Sequence, residues 1–114
     1  MKAERFEDLI CWQKSKELAV KIYKCFKGNR DFDFKDQIQR AGVSISNNIA
    51  EGFERRSNKE FTQFLYIAKG SAGEVRSMLY IALDLEYITK EQFQNFFNDC
   101  LEISKIIAGL IKTL

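Results

Sequence analysis

The chain has 114 residues, 46% of them hydrophobic and 30% charged, with a net charge of +2. That is one domain's worth of sequence, able to bury a core without metals or disulfides, and its apolar runs are too short and too interrupted to span a bilayer. It holds neither proline nor histidine, so nothing need kink a long helix, and the Glu-x-x-His di-iron site of some helical bundles and every Ser-His-Asp or Cys-His catalytic arrangement are excluded.

The opening stretch MKAERFEDL mixes acids and bases and lacks an apolar signal core, so the expectation is a cytoplasmic protein. Cys11, Cys25 and Cys100 are scattered among apolar residues at helical spacing and read as reduced core thiols. Charge is unevenly placed. Residues 1–59 hold 13 bases and 9 acids, whereas residues 60–114 hold 5 and 7, giving +4 against −2.

In chain order, the first helix is predicted over residues 9–26, with Trp12, Ser15, Ala19, Ile22, Tyr23 and Phe26 along its apolar stripe and Gly28 as its stop. Asp33 is the expected cap of a second helix that runs to residue 54. At 100° per residue, Ile38, Ala41, Gly42, Ile45, Ile49, Gly52 and Phe53 form its core face. Val43, Ser46 and Ala50 form a second, small-residue face, suited either to extra burial within the monomer or to a subunit contact. Ser57 and Glu60 have capping-box spacing and open a third helix that continues to about residue 86. Thr89 and Gln92 repeat the box before a fourth helix that reaches almost to the carboxyl end. Four long amphipathic helices with short connections predict an all-α, antiparallel up-down-up-down four-helix bundle occupying residues 1–114 as a single domain.

If the second and third helices fold back around residues 55–57, Gly42 lies level with Gly70, among Ala41, Ser71, Ala72 and Gly73, and a tight backbone crossing is expected there. Arg40 lies near Glu74. Arg40, Ser44, Asn48, Glu51, Ser71 and Glu74 are the expected members of a partly buried polar layer held by charge-assisted hydrogen bonds. Glu51 and Glu74 also admit a reading as an acid pair for catalysis or metal binding, but no nucleophile accompanies them, and the structural reading is preferred. No cofactor or metal is expected.

The segment FEDLICWQK, the run QIQRAGVSISNNIAEGFERRSNKEF and the later FLYIAKGSAGEVRSML together resemble the four-helix bundle proteins encoded in intervening sequences of bacterial 23S ribosomal RNA genes. The likeness spans nearly the whole chain and is most specific over Ser44 to Gly52 and over Ala68 to Ser71 with Glu74. Gly42 departs from it, standing where such proteins tend to have alanine. The resemblance implies a bacterial cytosolic bundle that assembles as a barrel-shaped homopentamer, with no established enzymatic activity. The similar accessory proteins of diversity-generating retroelements bind nucleic acid and a reverse transcriptase. Together with the basic amino-terminal half, this gives the expectation of a non-catalytic, oligomeric protein associated with nucleic acid, RNA before DNA. The alternative is an interaction scaffold or accessory subunit for a polymerase-like protein partner. The residues expected to touch phosphate are Lys14, Lys21 and Lys24 on the first helix and Arg55, Arg56 and Lys59 at the second turn.

Overall fold

Capping side chains decide where the second, third and fourth α-helices of the chain begin, whereas the first opens after Leu9 with no side-chain cap. In the computed structural model, which describes residues 3–114, a short 3-10 turn (Phe6–Asp8) precedes helices α1 (Ile10–Phe26), α2 (Phe32–Phe53), α3 (Asn58–Asp84) and α4 (Lys90–Lys112). Ser57 caps α3, its hydroxyl accepting the Glu60 amide at 3.2 Å. Thr89 and Gln92 make the reciprocal box that opens α4, with the two amides accepted at 2.9 and 3.1 Å. The cap of α2 is Asp31, not Asp33. Its carboxylate accepts the Phe34 amide at 3.2 Å, and Asp33 falls inside the first turn, where its charge complements the helix N-terminus without capping it.

Asp31 does a second job. It accepts the Tyr87 hydroxyl at 2.6 Å, tying the α1–α2 connection to the α3–α4 connection. Tyr87 also stands edge-on to Phe34, whose ring lies 5.9 Å from that of Phe26. The hydrogen bond from Tyr87 holds the Asp31 carboxyl below the usual carboxylate range, and the same bond pushes the Tyr87 phenol up. A depressed acid contributes stability above its unfolded pKa, near pH 4, that is lost as pH falls through the folded value. A raised phenol contributes stability below about pH 10 that is lost as pH rises through its folded value. Thermal melts of Tyr87→Phe against pH should therefore show a flatter profile than the parent at both extremes.

The far end of α3 is set by geometry that the sequence hides. Glu86 has φ 61°, and the Tyr87 amide reaches the Ala82 carbonyl at 2.8 Å while the Glu86 amide reaches that of Leu83 at 3.0 Å. This pair of bonds is a Schellman close, a place that glycine prefers because a left-handed residue with a Cβ is disfavoured by about 1–2 kcal/mol. It stops the helix at Asp84, two residues before the sequence-based expectation. Glu86→Gly is expected to raise stability by about 1 kcal/mol, read by urea denaturation.

Neighbouring helices run antiparallel, as paired residues show. Ala19 and Ile22 approach Gly42 while Phe26 meets Phe34; Ser44 bonds Ser71 while Gly52 lies on Phe64; Tyr80 packs on Phe93 while Arg76, one turn earlier, lies over Phe97. Lys14 and Lys21 reach Glu102 and Asp99, closing α1 onto α4. The four-helix bundle follows, with Leu18, Ile22, Ile38, Ile45, Ile49, Leu65, Val75, Leu79, Ile103 and Ile107 at its centre. On α1, Ser15, Ala19, Ile22 and Phe26 are buried as the stripe requires, but Tyr23 is exposed, Trp12 is half-buried, and Cys11 and Leu18 complete the inner face. Burial pushes the Cys11 thiol up to about 11 and Cys100 to about 12, and raises half-buried Cys25 as well. All three are free thiols.

The expected crossing of Gly42 on Gly70 does not occur. Ser44 meets Ser71, and Gly42 lies two residues away, about 200° around the helix. It therefore faces α1, where an added Cβ would lie 3.0 Å from the Ile22 Cδ1. Gly70 is turned outward, and a Cβ there would meet nothing in this chain. The close approach of α2 to α3 is made instead by Gly52, where a Cβ would fall 2.5 Å from that of Phe64.

Candidate nucleic-acid interface

The α2–α3 turn carries the basic cluster. Arg55 bonds Glu51, one turn earlier on α2, at 3.1 Å, and its guanidinium lies over the Phe64 ring at 4.7 Å. Arg55 is thus held in place by a carboxylate and an aromatic face. Arg56 and Lys59 are exposed and enter no ion pair among the described residues.

The α1 lysines divide differently from the sequence expectation. Lys14 pairs with Glu102 at 3.2 Å and Lys21 with Asp99 at 3.3 Å, so both are engaged with α4 and their charge is locally balanced. Exposed pairs of this kind contribute roughly 0–1 kcal/mol to folding. Lys24 is exposed and unpaired among the described residues, but it stands at the opposite end of the bundle from Arg56 and Lys59. The six candidates therefore do not form one surface, and the α2–α3 turn is the compact patch.

The polar layer also separates into parts. Ser44 and Ser71 share a 2.9 Å hydrogen bond, and the Asn48 amide donates to both the Ser44 hydroxyl and carbonyl at 2.9 and 2.8 Å. This trio joins α2 to α3. Arg40 instead turns to Asp36 at 3.5 Å, and Glu74 accepts from Gln37, also at 3.5 Å. Both line an open groove of about 550 Å³ with Asp33 and Asp36, an acid-rich surface unsuited to a polyanion. Glu51 belongs with Arg55. Glu74 lies level with Gln37, about 20 Å along α2 from Glu51, so the two carboxylates make no pair. No cluster of metal-ligating side chains occurs among the described residues.

Three further cations, none of them among the expected contacts, lie against rings: Lys16 over Trp12, Lys35 over Phe32 and Arg76 over Phe97, at 5.0 to 5.9 Å. The first two are pairs at i,i+4 and i,i+3 and were discoverable from helical spacing. The third spans two helices and was not. Val43, Ser46 and Ala50 lie along the α1 flank of α2; Ser46 is buried within the monomer, with Val43 and Ala50 half-buried.

A four-helix bundle with a basic turn and, among the described residues, no cluster of metal-ligating side chains is the class of protein these features define. A family model for the 23S rRNA-intervening sequence protein matches residues 7–109, and the chain belongs to that family. The crystal structure of a protein of unknown function from the S23 ribosomal protein family of Bacteroides thetaiotaomicron is similar, with 36% identity and a TM-score of 0.84 over 90% of this chain and 99% of that one. No curated protein matches the chain. No helix among the described residues is long and apolar enough to cross a membrane.

Proposed function

We propose that this chain is a cytoplasmic, non-catalytic, oligomeric protein that associates with RNA through its α2–α3 turn. The observation that carries the reading is the exposed, unpaired placement of Arg56 and Lys59 beside an Arg55 already oriented by Glu51 and Phe64. Such a turn offers two mobile cations and one fixed planar donor set to phosphate. The family's connection to 23S rRNA intervening sequences makes an RNA the first ligand to test. The resemblance to pentameric relatives supports assembly, and a ring multiplies each basic turn and concentrates its field.

The test is a salt titration of binding to a structured 23S rRNA fragment. The parent should lose affinity steeply with salt, and Arg56→Gln with Lys59→Gln should reduce the slope of log K against log salt by roughly 2 per bound protomer. Lys14→Gln and Lys21→Gln should change it little, because their charge is committed to Glu102 and Asp99. Binding equally weak in all variants counts against RNA association, whereas a protein partner that stays bound after nuclease treatment favours the scaffold reading.

A further inference from the structure

We infer that the RNA element taken by the α2–α3 turn is an unpaired nucleotide, whose base stacks on the outer side of the Arg55 guanidinium. The inference rests on the RNA association proposed above and adds to it the ligand class, single strand against duplex, and the side chain that discriminates.

Among the described residues Arg55 alone is held both by a carboxylate and by a ring. Glu51 takes one of its amino groups at 3.1 Å, and Phe64 covers one side of the guanidinium at 4.7 Å. The floor under that ring is firm: Gly52 brings the α2 backbone against the Phe64 Cβ, and beside it buried Phe61 stands edge-on to Phe53. The Arg55 side chain nevertheless stays 45% exposed, so the side turned away from Phe64 is open. Other arginines lack one part of this arrangement. Arg5 and Arg40 pair with nearby carboxylates but lie over no ring, and Arg76 lies over Phe97 without an ion pair among the described residues. A guanidinium with one side packed and the other open is a stacking surface for a nucleobase. Much of its rotamer freedom is already given up to Glu51 and Phe64, so little more is lost when a base arrives.

Local charge decides between single strand and duplex. Residues 51–60 contain Arg55, Arg56 and Lys59 and also Glu51, Glu54 and Glu60, three of each sign. Glu51 is committed to Arg55, while Glu54 and Glu60 enter no ion pair among the described residues. A turn whose charges cancel has no long-range pull on the dense phosphates of a duplex, and Arg56 and Lys59 meet phosphate only where a strand is already seated. A paired helix also hides the faces of its bases, leaving Arg55 nothing to stack on. An unpaired nucleotide offers what the turn can use: one π face for Arg55 and flanking phosphates for Arg56 and Lys59.

The test measures fluorescence anisotropy at fixed salt with three probes: a short oligoadenylate, an RNA duplex of the same length, and a strand of that length whose sugars are abasic. Arg55→Lys keeps the charge and loses the plane. It should bind the oligoadenylate about tenfold more weakly than the parent, while its affinity for the duplex stays within about twofold. The parent should bind the abasic strand about tenfold more weakly than the oligoadenylate, and Arg55→Lys should scarcely distinguish the two. Circular dichroism melts establish that the variant folds. If it does not, the parent's two single strands decide: a loss of about tenfold on the abasic one supports the inference, and equal affinities overturn it. Equal losses of Arg55→Lys on single strand and duplex mean that Arg55 meets only phosphate, and a variant still sensitive to base removal places the stacking elsewhere. Either result, or an affinity unchanged for every probe, overturns this inference and leaves the RNA association standing. A parent that binds none of the three probes overturns the RNA association as well.

Discussion

Gly52→Ala is expected to destabilise the protein by about 2 kcal/mol, lowering its melting temperature by roughly 10 °C. The added Cβ would fall 2.5 Å from the Phe64 Cβ and 3.1 Å from the Phe61 Cδ1. The first contact is decisive. A Phe64 Cβ is fixed to its backbone and cannot swing aside, so α2 and α3 must separate near the turn that joins them. Phe61 is buried there and stacks edge-on with Phe53, and Arg55 lies over Phe64, so the separation disturbs the base of the core and the orientation of the basic turn together. Gly109→Ala supplies the contrast. It is an exposed helical glycine whose Cβ meets nothing, and its replacement is expected to stabilise by up to about 1 kcal/mol through helix propensity. Equal melting of the two variants would show that α2 and α3 are not closely packed at Gly52.

Much of this fold was legible because helices announce themselves locally. The caps Ser57 and Thr89 were readable from the acceptor at the first position and the partner three residues on, and both are in place. The α2 core face was readable from period alone, and Ile38, Ala41, Gly42, Ile45, Ile49 and Gly52 are all buried. What spacing does not carry is the rotation of each helix about its axis. Numbering placed Ser44 and Ser71 within a turn of each other but also placed Gly42 against Gly70, because level was judged without azimuth. The same omission assigned Arg40 to Glu74, when the nearer carboxylate was Asp36 on its own helix. Cross-helix electrostatics were invisible for the same reason: Lys14 and Lys21 read as free bases until α4 brought Glu102 and Asp99 beside them. The choice of Asp31 over Asp33 depended on Tyr87, 56 residues away, which no local rule can see. The basic turn was legible because its cations are adjacent in sequence.

Ile45→Ala is expected to cost about 3–4 kcal/mol, the largest loss of any single truncation argued for this chain, whereas Ser46→Ala one residue on should cost under about 0.5 kcal/mol. Ile45 is fully buried at the middle of α2, one residue from the Ser44–Ser71 bond that fixes α2 on α3 and three from Gly42 against α1. Removing its outer carbons leaves a cavity between helices already held at close range on both sides by small residues, so the walls have little freedom to collapse into it. Collapse is what keeps some truncations inexpensive. Ser46, by contrast, spends its hydroxyl on the Val43 carbonyl of its own helix at 3.1 Å, and alanine keeps the methylene while the carbonyl retains its helical role. Chemical denaturation of the two variants at a fixed protein concentration separates these outcomes. A loss at Ile45 below about 1 kcal/mol would mean that α2 can shift to fill the gap, and that the serine and glycine contacts on its flanks do not hold it in place.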